Sequence, residues 1–97
     1  MLSYHLLLQE ETNKNWNRKE IKKLFDDLIG LLEMRKLGRL HIEKGDEELP
    51  GLTASQIICT SHICFHHFSN EKEIWLDILS CKFFDKKEVK KFIRSYL

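Results

Sequence analysis

The sequence predicts an α+β fold: a two-layer sandwich with two helices on one face of a mostly antiparallel sheet, in the order β-α-β-β-β-β-α. Three observations predict it. An apolar stripe at steps of three and four (Ile21, Leu24, Phe25, Leu28, Leu31, Leu32) marks one amphipathic helix. A second stripe, Val89, Phe92, Ile93 and Tyr96, marks another near the C-terminus. The remaining apolar residues fall in short runs between turn signals, as strands do.

In chain order, residues 2–9 (LSYHLLLQ) read as a compact first strand ended by Glu10, Glu11, Thr12 and Asn13. Asn17 and Glu20 form a capping pair ahead of the first stripe, and Gly38 is a natural C-terminal stop. Gly30 inside this helix costs about 1 kcal/mol relative to Ala, which close packing would explain. GRLHIEK (38–44) alternates Leu40 and Ile42 with Arg39, His41 and Glu43, so it reads as a half-buried strand. GDEE is a turn, and Pro50-Gly51 bends the chain again. Residues 52–59, 62–68 and 73–80 complete the sheet, the last two joined by SNEK (69–72) as a hairpin loop. Asp85 with Glu88 caps the final helix.

The 97 residues form a single domain, 1–97, with 42% hydrophobic residues, 32% charged residues and a net charge of +1. That is an ordinary globular composition, and it offers no strong basic excess for nucleic acid. The local surplus at Lys82, Lys86, Lys87, Lys90, Lys91 and Arg94 reads as a solvated helix face. No apolar run is long enough for a membrane span or a secretory leader. Three cysteines, Cys59, Cys64 and Cys81, without a leader suggest free thiols in a reducing cytoplasm. A domain this small buries only roughly 60–65% of its unfolded surface, so a partner subunit, most simply a second copy, would help it.

One strand carries unexpected residues. ICTSHICFHHFSN (58–70) crowds Cys59, Thr60, Ser61, His62, Cys64, His66 and His67 among four apolar residues. If 62–68 is extended, His62, Cys64, His66 and Phe68 share one face, and Ile63, Phe65 and His67 share the other. Three readings stay open on the residues alone. The polar groups can satisfy one another inside a sheet. Cys59, His62, Cys64 and His66 offer zinc-type ligands, although their interleaved order is not that of a finger. Ser61 can act as a nucleophile, with His and Cys nearby.

TASQIICTSHICFHHF followed by IWLDILSCKFFD resembles the prokaryotic S-adenosylmethionine decarboxylases, which depend on a pyruvoyl group. The family pattern places a small hydroxyl residue before an aliphatic strand. Glu-Ser-His, an apolar residue, a second histidine and an aromatic come next, then Asp-x-x-Ser/Thr-Cys. Here Thr53, Ser61, His62, His66, Phe68 and Asp77-Ile78-Leu79-Ser80-Cys81 occupy those positions without a gap. His5-Leu6 is similar to the family's start.

The resemblance implies self-cleavage between Thr60 and Ser61, leaving a pyruvoyl group made from Ser61. That group is the electron sink for carboxylate loss, with no pyridoxal phosphate and no metal. It further implies that Cys81 is the acid returning a proton to the substrate, and that His66 serves processing. Thr53 and Thr60 support processing, Phe68 stacks near the purine, and His5 lies at the substrate site. The implied activity is decarboxylation of S-adenosylmethionine for polyamine (spermidine) synthesis, by a homodimer.

The chain also departs from the pattern. Thr60 stands where the family has Glu, Gln9 where Glu is usual, and Asn70 where an acid is usual. LSYHL lacks an arginine, and Glu48 replaces an aromatic before Leu49-Pro50. The processing set (Ser61, His66, Cys81) is kept while carboxylates are lost. Two alternatives arise: a pyruvoyl decarboxylase of another amino acid, and a non-cleaving homologue that binds a nucleoside ligand or regulates an active subunit. Thr60 is the residue that divides the decarboxylase from the non-cleaving homologue.

Overall fold

A computed structural model describes residues 1–97, and its element order is the expected β-α-β-β-β-β-α. The strands are β1 (Tyr4–Glu11), β2 (Lys36–Lys44), β3 (Gly51–Ile58), β4 (Ser61–Phe68) and β5 (Glu73–Ser80); the helices are α1 (Arg18–Leu32) and α2 (Lys86–Arg94). The strands form one five-stranded sheet in the order β1-β5-β4-β3-β2, and every neighbouring pair is antiparallel. No helix is long and apolar enough to cross a membrane.

The caps fall where the sequence places them. The Asn17 side chain accepts the Glu20 N–H at 2.8 Å, and the Asp85 carboxylate accepts the Lys87 and Glu88 N–H groups at 2.9 and 3.3 Å. The Asp46 carboxylate closes the turn after β2 by accepting the Leu49 N–H at 2.8 Å. Two expectations about glycine need correction. Helix α1 stops at Leu32, not at Gly38, because Glu33 turns left-handed (φ 54, ψ 43). Its N–H then bonds the Gly30 carbonyl while the Met34 N–H reaches Ile29, a Schellman closure. Gly38, at φ 77, lies instead in β2, where the register slips between Leu37 and His41. Gly30 is exposed, and an added Cβ would meet nothing within 4 Å, so close packing does not explain it.

One face of the sheet is dry. Leu6, Leu8, Ala54, Ile63, Phe65, Leu76 and Ile78 point to it and form one core with the α1 stripe and with Val89 and Ile93 of α2. Trp16 packs on Phe65 with ring centroids 5.0 Å apart; such a pair adds about 0.5–1.5 kcal/mol beyond its burial. The unusual strand behaves as its alternation implies. Ser61, Ile63, Phe65 and His67 are buried toward the helices, while His62, Cys64, His66 and Phe68 are half-buried on the open face. β4 begins one residue earlier than expected, which adds Ser61 to the buried set. Burial also pushes the His67 imidazole below its ordinary pKa.

Candidate active site

Strand pairing sorts the polar residues into two clusters. The first lies where β3 turns into β4. The register matches Ile58 with Ser61 on one side and His62 with Leu79 on the other. Ser61 therefore sits beside the end of β5, and the Cys81 N–H donates to its hydroxyl oxygen at 2.9 Å. The Cys81 thiol lies 3.9 Å from the Cys59 carbonyl oxygen. Cys81 thus lies across the Thr60–Ser61 link, its sulfur near the carbonyl of Cys59, one residue ahead of Thr60, and its amide on Ser61. Thr60 itself is exposed. The Thr60 hydroxyl, then the Thr60 backbone, then the Ser61 hydroxyl stabilise the thiolate, drawing the Cys81 pKa down to about 7.

The second cluster occupies the open face toward the other end of β4. Thr53 pairs with His66 across β3 and β4, and the Thr53 hydroxyl hydrogen-bonds His66 Nδ1 at 3.0 Å. His66 stacks near Phe68 with centroids 6.3 Å apart, and Phe68 lies 4.6 Å from Trp75 of β5. The indole N–H of Trp75 donates to Glu73 at 2.6 Å. The result is a shallow aromatic wall with an imidazole at one end.

Between the clusters, the Asp77 carboxylate accepts from His62 Nε2 at 3.3 Å and from the His5 ring. Cys64 pairs with Asp77 across β4 and β5. Burial first, and the Asp77 charge second, raise the Cys64 pKa, so this thiol stays protonated where Cys81 ionises.

The structure brings Ser61 to Cys81, Thr53 to His66 and Phe68 to the same wall. It does not bring His66 to Ser61. Five residue steps along the strand separate them, about 16 Å at the usual rise, and the odd spacing puts them on opposite faces. The zinc-type set does not assemble either: Cys59 turns its sulfur to Arg35, and no group of three His, Cys, Asp or Glu side chains is arranged to hold a metal ion. Sequence reasoning assigned no role to Trp75 or Asp77. Their signal was available, because both alternate in phase with Leu79 on β5 and so share the open face with the histidines.

The donor set fits a prosthetic group built from Ser61. The hydroxyl is held at the start of a strand, an exposed residue precedes it, and an ionisable thiol stands beside the link between them.

A search of curated protein sequences finds no match. Among solved structures, the crystal structure of the adenosylmethionine decarboxylase from Aquifex aeolicus VF5 is similar, with a TM-score of 0.71 at 16% identity. The match covers 98% of this chain and 77% of that one, and at such identity it speaks for the fold. The sequence pattern of the S-adenosylmethionine decarboxylases matches residues 7–97. With nearly the whole length matched, the chain belongs to the S-adenosylmethionine decarboxylase family.

Proposed function

We propose that the chain is a pyruvoyl-dependent decarboxylase of S-adenosylmethionine that first cuts itself between Thr60 and Ser61. The observation that carries this reading is the placement of Cys81, whose amide holds the Ser61 hydroxyl at 2.9 Å while its thiol lies against the residues just before the link.

The Ser61 hydroxyl attacks the Thr60 carbonyl carbon. The amide C–N bond breaks and the acyl group passes to oxygen as an ester. An imidazole then takes the Ser61 α-proton, the Cβ–O bond breaks, and Thr60 leaves as a carboxylate. Water releases ammonia from what remains and completes the pyruvoyl end, which supplies the electron sink for decarboxylation. Cys81 returns a proton to the substrate carbon as a general acid.

The base must come within about 2.6–3.2 Å of its proton. His66 of the same chain stands about 16 Å away along the strand. A second copy that covers the β3–β4 corner, where Ser61 begins its strand next to the exposed Thr60, can bring its own Thr53–His66 pair there, so the homodimer is part of this proposal. Phe68 and Trp75 offer the purine a stacking wall, and His5 with Asp77 lines the same face.

A rival reading rests on Thr60, whose hydroxyl stands where a carboxylate would meet the ribose. It makes the chain a non-cleaving nucleoside-binding or regulatory homologue. Denaturing mass spectrometry separates the two. Fragments 1–60 and 61–97, the second blocked at its N-terminus and reducible by borohydride, support the enzyme. One intact chain of 11.6 kDa after long incubation supports the rival. Ser61→Ala should remain a single chain without carbon dioxide release from S-adenosylmethionine; fragments persisting in that variant rule out the cut.

A further inference from the structure

Self-cleavage would leave a carboxylate on Thr60 where none stood before. The ester carbonyl oxygen and the former Ser61 oxygen become the two carboxylate oxygens, and the negative charge appears one residue from Cys59. The cation placed to meet it is Arg35, in the link between α1 and β2. Its carbonyl accepts the Cys59 N–H at 3.0 Å, which ties this segment down independently of Ser61. Its guanidinium Nη2 donates to the Cys59 sulfur at 3.4 Å.

A thiol is a weak acceptor, and a guanidinium has five donors that suit a carboxylate far better. Arg35 nevertheless has no carboxylate partner, whereas its neighbours do. Lys36 pairs with Asp26, and Lys82 pairs with Glu33 at 3.3 Å. Arg35 is therefore the unpaired cation at the cut, held one residue from the atom that would become charged.

We infer that Arg35 receives the carboxylate released on Thr60 and holds it away from the Cys81 thiol, a role that rests on the proposed self-cleavage. Arg35 is a positioning residue, acting on Cys81 through the cut end. The Cys81 sulfur lies 3.9 Å from the Cys59 carbonyl oxygen, so an unneutralised carboxylate at Thr60 would stand beside it. Like charge would then keep the thiol protonated to higher pH. In the uncut chain the other groups acting on the Cys81 thiol are Thr60 and the Ser61 hydroxyl; the next residue, Lys82, is paired with Glu33.

The test compares wild type, Arg35→Gln and Arg35→Lys, each with Ser61 intact and in the uncut Ser61→Ala chain. Arg35 is exposed, so neither substitution disturbs the core. Intact mass reports the cut, and peptide-resolved alkylation across pH reports Cys81. In the cut protein, Arg35→Gln should move the Cys81 titration upward by about one unit, and Arg35→Lys should stay near wild type. In the Ser61→Ala chain, where no carboxylate forms, Arg35→Gln should leave the titration in place. An equal shift in both backgrounds, no shift in the cut protein, or a lysine variant that titrates like glutamine overturns the inference alone. A chain that never splits overturns it together with the proposed function.

Discussion

The Cys81 thiol is half-ionised at neutral pH because Thr60 and the Ser61 hydroxyl stabilise its anion. Its pKa lies below the ordinary thiol value, so the thiolate dominates above about 7 and the thiol below it. Alkylation of Cys81 in the uncut chain should therefore rise through about pH 7, while Cys64, raised by burial, labels only at higher pH. A Cys81 midpoint above about 8.5 would contradict this. Cys81→Ala should still permit the cut but lower decarboxylation by roughly 10²–10⁴-fold, the usual contribution of a general acid; carbon dioxide release from a fully cut sample measures it. The Ser61–Cys81 pair was named through the family resemblance, and the strand pairing gives it a physical basis. Folding β4 and β5 about the SNEK loop sets Ser61 beside the residue after Ser80. The gap between Ser61 and His66 was equally written in their odd separation, but a motif names residues without naming faces.

At the scale of elements, α1 carries a correctable flaw. Gly30 is exposed, helical and free of neighbours. Gly30→Ala should stabilise the fold by about 0.5–1 kcal/mol, read as a higher denaturation midpoint at unchanged slope. Gly51 behaves oppositely. It has φ 140, and an added Cβ would collide with the His67 carbonyl oxygen. Gly51→Ala should cost more than about 1 kcal/mol by the same measurement. Strand and helix order could be read from periodicity because each apolar stripe faces a single core. The end of α1 could not, because the left-handed position fell to Glu33, a residue that gives no sign of it. The slip in β2 was hidden for a related reason: Gly38 serves a bulge as readily as a helix stop.

For the whole molecule, the open face is where chemistry and association meet. Leu7, Ile57 and Trp75 are exposed there at 58, 56 and 38% beside the imidazoles. If the open face of one copy covers the β3–β4 corner of the other, a chain lacking Ser61 can still lend its His66. Mixing Ser61→Ala with His66→Ala protein should then cut the His66→Ala chain, in about half of its copies after one round of random pairing at equal amounts. Neither variant alone should yield fragments, and a mixture that yields none would show that the two groups are not shared.

The strand order bears on what such a cut would do. Residues 1–60 supply β1, β2 and β3, and residues 61–97 supply β4 and β5, which lie between β1 and β3. A nick at the β3–β4 corner touches only the last pair of the ladder, Ile58 with Ser61. The two pieces would stay interleaved like clasped fingers, each strand of the shorter piece gripped by one of the longer. Parting them means unzipping two seams at once, so the nicked protein should melt as a single cooperative unit.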